Sequence, residues 1–496
     1  MYAETRSPRL WSWIRPATAG KRRSIPVVAL FLNVLVPAVL ALTILFGAFM
    51  RPRMAVTLFL YAILFCPYIR ICGLEFRLEH IVAPLLFGVI LVRRPTVLPR
   101  VLLCLPILAY LAWLGWCLVV TLFWSPAALA SPQSWVALQG VIRPVLIMAM
   151  CAAVAFDAAE LKGLFKGFAI CAIPLACLGI AQTLNIAGAR WLTEQAYVSS
   201  GRAVFVAELE TEAQGYMLRG ISVFENASYA GTFYILALLA GALLLAGRIR
   251  LVSRWEKLVL ILALGFVALG GIFTMSATFT AGVLVIGLIL FARTSMRAKW
   301  RMALSVLGIL LLLVLAVDWF PPESVAYLKA VFAYQSERLS SGELFKGRFM
   351  DENGMALLPS WRMALDNPLF GLGLLPPAGV IVNDSLYITL LFSGGAIGLA
   401  LFALIFLRPV FIRNRDLGRQ LTFGWLILMF AVGFGCSSFF NLRMGEWVWA
   451  LVAVAASRPR GGNPARVDAT SGQRTVPAEL PVAICGARRV PAEGAP

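Results

Sequence analysis

Three polar stretches in an otherwise apolar chain hold the residues that could do chemistry. The longest is Trp361-Arg362-Met363-Ala364-Leu365-Asp366-Asn367-Pro368-Leu369-Phe370-Gly371-Leu372-Gly373. The second is Arg219-Gly220-Ile221-Ser222-Val223-Phe224-Glu225-Asn226-Ala227-Ser228-Tyr229-Ala230, directly before an apolar run. The third, Val382-Asn383-Asp384-Ser385-Leu386-Tyr387, also enters an apolar run, and Gly394-Gly395-Ala396-Ile397-Gly398 follows within it. A bilayer gains nothing from such segments, so they point to group-transfer chemistry at a membrane boundary. Arginine forms bidentate bonds to phosphate oxygens and stays charged there, which makes Arg219 and Arg362 the candidates for holding an anionic leaving group, with Arg348 a third. Asp384 or Glu225 could take a proton from an acceptor hydroxyl if burial raises its pKa. Gly371 and Gly373 would let backbone approach a substrate closely, and Trp361 or Tyr387 could stack on a ring. Asn226 and Asn383 stand beside them as substrate-binding candidates. Plainer roles compete: arginines that meet lipid headgroups, Asp384 as a helix cap, Trp361 as an interfacial anchor, glycines that only shape a turn.

Composition defines what must position these residues. The 496 residues are 60% hydrophobic and 14% charged, with a mean hydropathy of +0.85. Uncharged runs approach the roughly 20 residues that a helix needs to cross the hydrocarbon core. In lipid each backbone amide must bond within its own segment, and runs such as Val283–Phe291 lack the alternation of barrel strands. The expected fold is therefore all-α, a polytopic membrane protein with about 12–14 transmembrane helices. Spans are expected near 54–69, 78–92, 101–123, 135–156, 164–183, 229–247, 257–274, 276–292, 302–318, 383–407, 421–437 and 442–457. Before them, Pro26–Met50 reads as a retained span or a cramped hairpin, and the charge bias favours the hairpin.

The excess of +19 charges sorts onto one side. Basic residues crowd the connections Arg93–Arg100, Arg248–Lys257, Arg293–Arg301 and Arg408–Arg419, which the positive-inside rule assigns to the cytoplasm. The long connections 185–228 and 319–382 mix acids with bases and fall on the opposite side. The resulting organisation is a basic cytoplasmic segment 1–26, helices 27–184, an external loop 185–228, helices 229–318, a large external loop 319–382, helices 383–457 and a disordered cytoplasmic tail 458–496. The basic balance reports topology and affinity for anionic membrane lipids. No nucleic-acid partner is indicated.

Nucleotide loops, nucleophile elbows and metalloprotease motifs are absent from the sequence, so no cofactor is expected. The nine cysteines include no CxxC and read as packing residues. Glu75, Glu79 and His80 could hold a cation but equally form an ordinary interfacial cluster; no metal site is assigned. Arg143, beside Pro144, is the clearest charge within a span, suited to snorkelling, helix pairing or function. No internal repeat suggests a transporter built of two related halves.

The three polar stretches together resemble the O-antigen ligase and polymerase family of bacterial envelope proteins. That family has an Arg before a Gly/Phe/Asn segment that opens a helix, as Arg219–Ala230 does. It has W-x-x-A-L…P-L-x-G-x-G, matched by Trp361, Ala364, Leu365, Pro368, Leu369, Gly371 and Gly373. A pair at Asn383-Asp384, then Tyr387 and Gly395/Gly398, completes the pattern over roughly residues 200–410. The resemblance implies a fold similar to the lipid-linked (GT-C-like) glycosyltransferases, in the bacterial inner membrane with a periplasmic active face. It implies transfer of undecaprenyl-diphosphate-linked glycan, with chain-length-regulating or export proteins as further partners. Ala277 stands where many relatives carry the Arg of Thr-x-Ser-Arg, and Asn383 or Asp384 holds the place of the ligases' His. Both departures favour repeat-unit polymerisation over ligation to a lipid or protein acceptor. A non-enzymatic transporter or flippase is the reading from another class.

Overall fold

The structure, a computed structural model, describes residues 31–71, 74–126, 132–183, 188–197, 220–224, 226–246, 254–274, 276–293, 336, 340, 357–375, 385–411, 417–434, 438–440 and 443–457. The chain divides into units Met1–Ser457 and Arg458–Pro496, and all described residues belong to the first. The expected span 302–318 and the tail lie outside them.

The protein is an α-helical, multi-pass membrane protein. Among the described residues six helices are long and apolar enough to cross a membrane, and a bent pair, Leu78–Arg93 with Pro95–Leu102, would make a seventh. The first, α1 (Phe31–Met50), is one continuous helix with a π-helical opening turn. This overturns the hairpin reading of Pro26–Met50. Pro37 falls in the first turn of the α-helical part, where a missing N–H interrupts little. The reversal comes instead at Arg51, and Pro52 opens α2 (Pro52–Phe65), which packs back along α1.

After α2 comes a feature that the apolar pattern did not announce, a two-stranded antiparallel hairpin. Its strands β1 (Ile69–Ile71) and β2 (Leu74–Phe76) pair Ile69 with Phe76 and Arg70 with Glu75. The order continues with α3 (Leu78–Arg93), the short α4 (Leu98–Leu102), α5 (Leu105–Trp124), α6 (Pro132–Val154), α7 (Ala158–Thr183) and the short α8 (Ala189–Tyr197). Then follow α9 (Ala227–Ala246), α10 (Arg254–Phe273), α11 (Ala277–Arg293), α12 (Leu357–Asp366), α13 (Leu386–Phe411), α14 (Leu417–Val432) and α15 (Met444–Ser457).

Side-chain contacts fix which helix ends lie together. At one end the Arg93 guanidinium sits 5.8 Å from the centre of the Phe49 ring, Arg53 reaches Glu160 at 3.2 Å, and Lys166 meets Glu256 at 2.5 Å. This is the basic end. At the other end Tyr197 donates its hydroxyl to the Phe65 carbonyl, Gly220 donates its N–H to Phe273, and Leu386 donates to Gly433. The helices between are packed by aromatic rings. Trp425, Trp447 and Trp449 are fully buried and each indole N–H finds a carbonyl, on Leu236, Leu60 and Phe439. The outward faces of α1, α5 and α10 carry exposed residues such as Phe46, Phe123 and Ile261, as helices bathed in lipid should.

Candidate functional site

The Trp361–Gly373 stretch is two devices in series. Residues 361–366 form the last turns of α12, and Trp361 and Arg362 stand exposed on it while Ala364 faces inward. Among the described residues Arg362 has no hydrogen-bond or ion-pair partner. From Asn367 the chain leaves the helix and inserts between α5 and α13.

Its seat is a break in α13. Gly395 has φ 60° and ψ −158°, so the helix opens there and leaves backbone groups without intrahelical partners. The inserted segment fills them: Ala396 donates to the Pro368 carbonyl at 2.8 Å, Ile397 to Leu369 at 3.3 Å, and Leu372 donates to Phe392 at 2.6 Å. From α5, Thr121 Oγ1 accepts the Leu374 N–H at 2.8 Å, and the Trp116 indole donates to the Gly394 carbonyl at 2.9 Å. Gly371 (φ 77°) and Gly373 (φ 103°) are required by this geometry. A Cβ on Gly371 would lie 2.6 Å from the Gly395 nitrogen, and one on Gly373 would lie 2.6 Å from Thr121 Oγ1. The close approach that these two glycines permit is, in this structure, to the protein itself, Gly371 to the Gly395 backbone and Gly373 to Thr121.

The second motif is also tucked into protein. Gly220 packs where a Cβ would meet the Gly179 carbonyl of α7 at 2.7 Å, and Ser222 (φ 54°), Val223 and Phe224 are buried. Gln182 holds this turn: its Oε1 accepts the N–H groups of Ile221 and Ser222, and its Nε2 donates to the Ser222 carbonyl and to Thr193 of α8. Asn226 is occupied locally. Its Oδ1 accepts the Ser228 N–H at 2.6 Å, an N-cap for α9. Tyr387 spends its hydroxyl on the Phe430 carbonyl at 2.7 Å and packs against Phe434. These contacts give Asn226 and Tyr387 structural work. Arg219, Glu225, Arg348, Asn383 and Asp384 lie outside the described residues.

Sequence reasoning missed most of a third constellation. Arg77, Glu79, Arg143, Arg443 and Glu446 are all buried to within a few per cent of complete enclosure. Glu79 takes Arg77 at 2.6 Å and Arg143 at 3.2 Å, while Glu446 takes Arg143 Nε at 3.1 Å. His80 Nε2 lies 3.4 Å from Arg143, and its Nδ1 accepts the Arg77 N–H, so the ring closes the first turn of α3. Arg443 donates to the Ile63 and Leu64 carbonyls at the end of α2 and lies 5.2 Å from the centre of the Tyr197 ring. Three arginines thus face two glutamates, an excess of one positive charge. Eleven to fourteen residues of α3, α6 and α15 separate the cluster from their basic ends, about 16–21 Å of helix. The cluster therefore lies in the half of the membrane remote from the basic end. Arg143 is the paired reading of that residue realised. Glu75 pairs with Arg70 at 2.9 Å, so the Glu75, Glu79 and His80 group is divided among arginines rather than converging on a cation. The available signal was the Arg443-x-x-Glu446 spacing, which puts both residues at the mouth of one short helix.

Comparison with known protein families, with curated proteins and with solved structures gives no match for this chain.

Proposed function

We propose that this chain is a polymerase of the O-antigen ligase and polymerase family, joining undecaprenyl-diphosphate-linked repeat units of an exopolysaccharide or O-antigen. In this reading it sits in the bacterial inner membrane with its active face in the periplasm. Among the described residues five shorter apolar helices accompany the longer ones, and local bilayer thinning accommodates helices of that length, which supports the count of 12–14 spans; the GT-C-like arrangement is part of the same proposal. The observation that carries the reading is Arg362: among the described residues it is an exposed guanidinium without a hydrogen-bond or ion-pair partner, on a short helix, free to meet an anionic group such as a lipid-linked diphosphate. Transfer from such a donor breaks the anomeric C–O bond, so the site must stabilise a departing diphosphate and accept the proton of the attacking hydroxyl. Arg362 and Arg219 supply the first, with Arg348 assisting, and Asp384 or Glu225 the second.

Deleting the gene and sizing the surface glycan tests this. Loss of long chains with single carrier-linked units remaining supports polymerisation. Long carrier-linked chains that never reach an acceptor would replace it with ligation. The transporter reading also has an observation in its favour, the buried charges on α3, α6 and α15, since intramembrane charge often lines a transport path. Accumulation of unflipped units on the cytoplasmic face would select it.

A further inference from the structure

The geometry points to Thr121, Trp116 and the Gly395 break as positioning elements for Arg362. They form a socket in α5 and α13 that fixes the inserted segment 368–374 and, through it, the placement of α12. This inference deepens the proposed function and rests on its assignment of Arg362.

Several observations converge on the socket. The inserted segment runs beside membrane helices, yet its N–H and carbonyl groups are matched to the groups that the break in α13 sets free. An unmatched pair of this kind in lipid would be costly, so segment and break require each other. Thr121 is fully buried and does two things at once, donating to the Cys117 carbonyl at 2.7 Å and accepting from Leu374. The Trp116 ring also packs 5.9 Å from that of Phe370, so α5 grips the segment from both ends. Only Asn367 separates α12 from Pro368, and Asn367 itself bonds through its carbonyl to the Gly371 N–H at 2.8 Å. With so short a connection, a segment locked at 368–374 leaves α12 little freedom. The break also leaves no N–H at Ala396 or Ile397 free for a ligand, because the carbonyls of Pro368 and Leu369 occupy them. Its work is mechanical: it converts the pair of helices α5 and α13 into a fixed support for the helix that carries the Arg362 guanidinium.

The test uses the full chain, purified in nanodiscs for hydrogen exchange and expressed in the deletion strain for glycan sizing. Thr121→Val keeps the shape and removes the acceptor; Thr121→Ser restores it. Thr121 does not touch 361–366, so faster exchange of those amides in Thr121→Val, returning to the wild-type rate in Thr121→Ser, reports transmission to α12. Trp116→Phe should behave as Thr121→Val does. Polymer yield should fall about three- to tenfold in Thr121→Val, the range set by loss of one buried hydrogen bond, and recover in Thr121→Ser. Unchanged exchange at 361–366 in both Thr121→Val and Trp116→Phe overturns the inference, as does full polymer yield despite faster exchange. Full activity in Arg362→Ala would instead remove the functional reading, while the exchange data would still decide whether the socket holds α12.

Discussion

A single guanidinium separates a binding role from a structural one most cleanly at Arg362. It is exposed and without a partner among the described residues, so its removal leaves no buried group unsatisfied. Arg362→Ala should abolish polymer while protein level and membrane insertion stay normal. A charged contact to phosphate contributes on the order of 1.5–3 kcal/mol, enough for a loss of ten- to a hundredfold. Arg362→Lys should rescue only in part, because the ammonium keeps the charge but loses the planar fork. Quantitative glycan gels on matched membranes read both. Asp384→Asn tests the proposed base: Asn caps a helix as well as Asp but cannot take a proton, so near-normal polymer in this variant removes Asp384 from the chemistry. At this scale the sequence was legible for residue type and left role open. Gly371, Gly373, Asn226 and Tyr387 are polar or small residues in a motif, which marks them as constrained. Nothing in the one-dimensional pattern tells whether the constraint is a substrate or the backbone of α13, α9 or α14.

Elements were legible where hydrophobic length decides, and hidden where long-range partners do. Long uncharged runs had no alternative to helix, and α5, α9 and α10 fall close to their expected limits. The hairpin at 69–76 was invisible because two three-residue strands carry too little alternation to register. The break at Gly395 lies inside an apolar run, and it is satisfied by distant partners, the carbonyls of Pro368 and Leu369, the Leu372 N–H and the Trp116 indole. The buried charge cluster was hidden for the same reason, since Glu79, Arg143 and Glu446 are hundreds of residues apart at the extremes. Their packing gives a prediction for α3, α6 and α15. Glu446→Ala leaves the doubly buried Arg143 with one carboxylate fewer, and loss of one member of a buried pair costs about 3–5 kcal/mol. Thermal unfolding of the purified protein in detergent should show that loss. The double variant Arg143→Met/Glu446→Leu should recover much of it, because it removes the stranded charge together with its partner. If the single variant melts as the wild type does, the cluster is not what ties these three helices together.

At the scale of the first unit, the described residues place a set of basic groups together at one helix end, and the proposed topology descends from that grouping. Arg51, Arg53 and Arg93 gather at one end with Lys166, held there by Phe49, Glu160 and Glu256. The hairpin 69–76, α8, the turn at 220–224 and the entry to α13 gather at the other. Segments rich in Lys and Arg resist translocation during insertion, so in the proposed topology the first end lies in the cytoplasm and the second outside. The prediction is binary. Fusions of a periplasm-active reporter after Ala207 or Gly342 should be active, and fusions after Ser253 or Asn414 should not; a cytoplasm-active reporter should give the reverse pattern. The stakes differ between outcomes. Repeat units on an undecaprenyl carrier are joined outside, so a reversed pattern would put Arg362 and Arg219 on the face where no such donor is presented. It would leave the packing of α12 on α13 intact and remove the proposed chemistry altogether. A pattern in agreement would put the connection that leads into α12 on the outer side, as the proposed chemistry requires of Arg362, and would give loss of polymer in Arg362→Ala a direct physical cause.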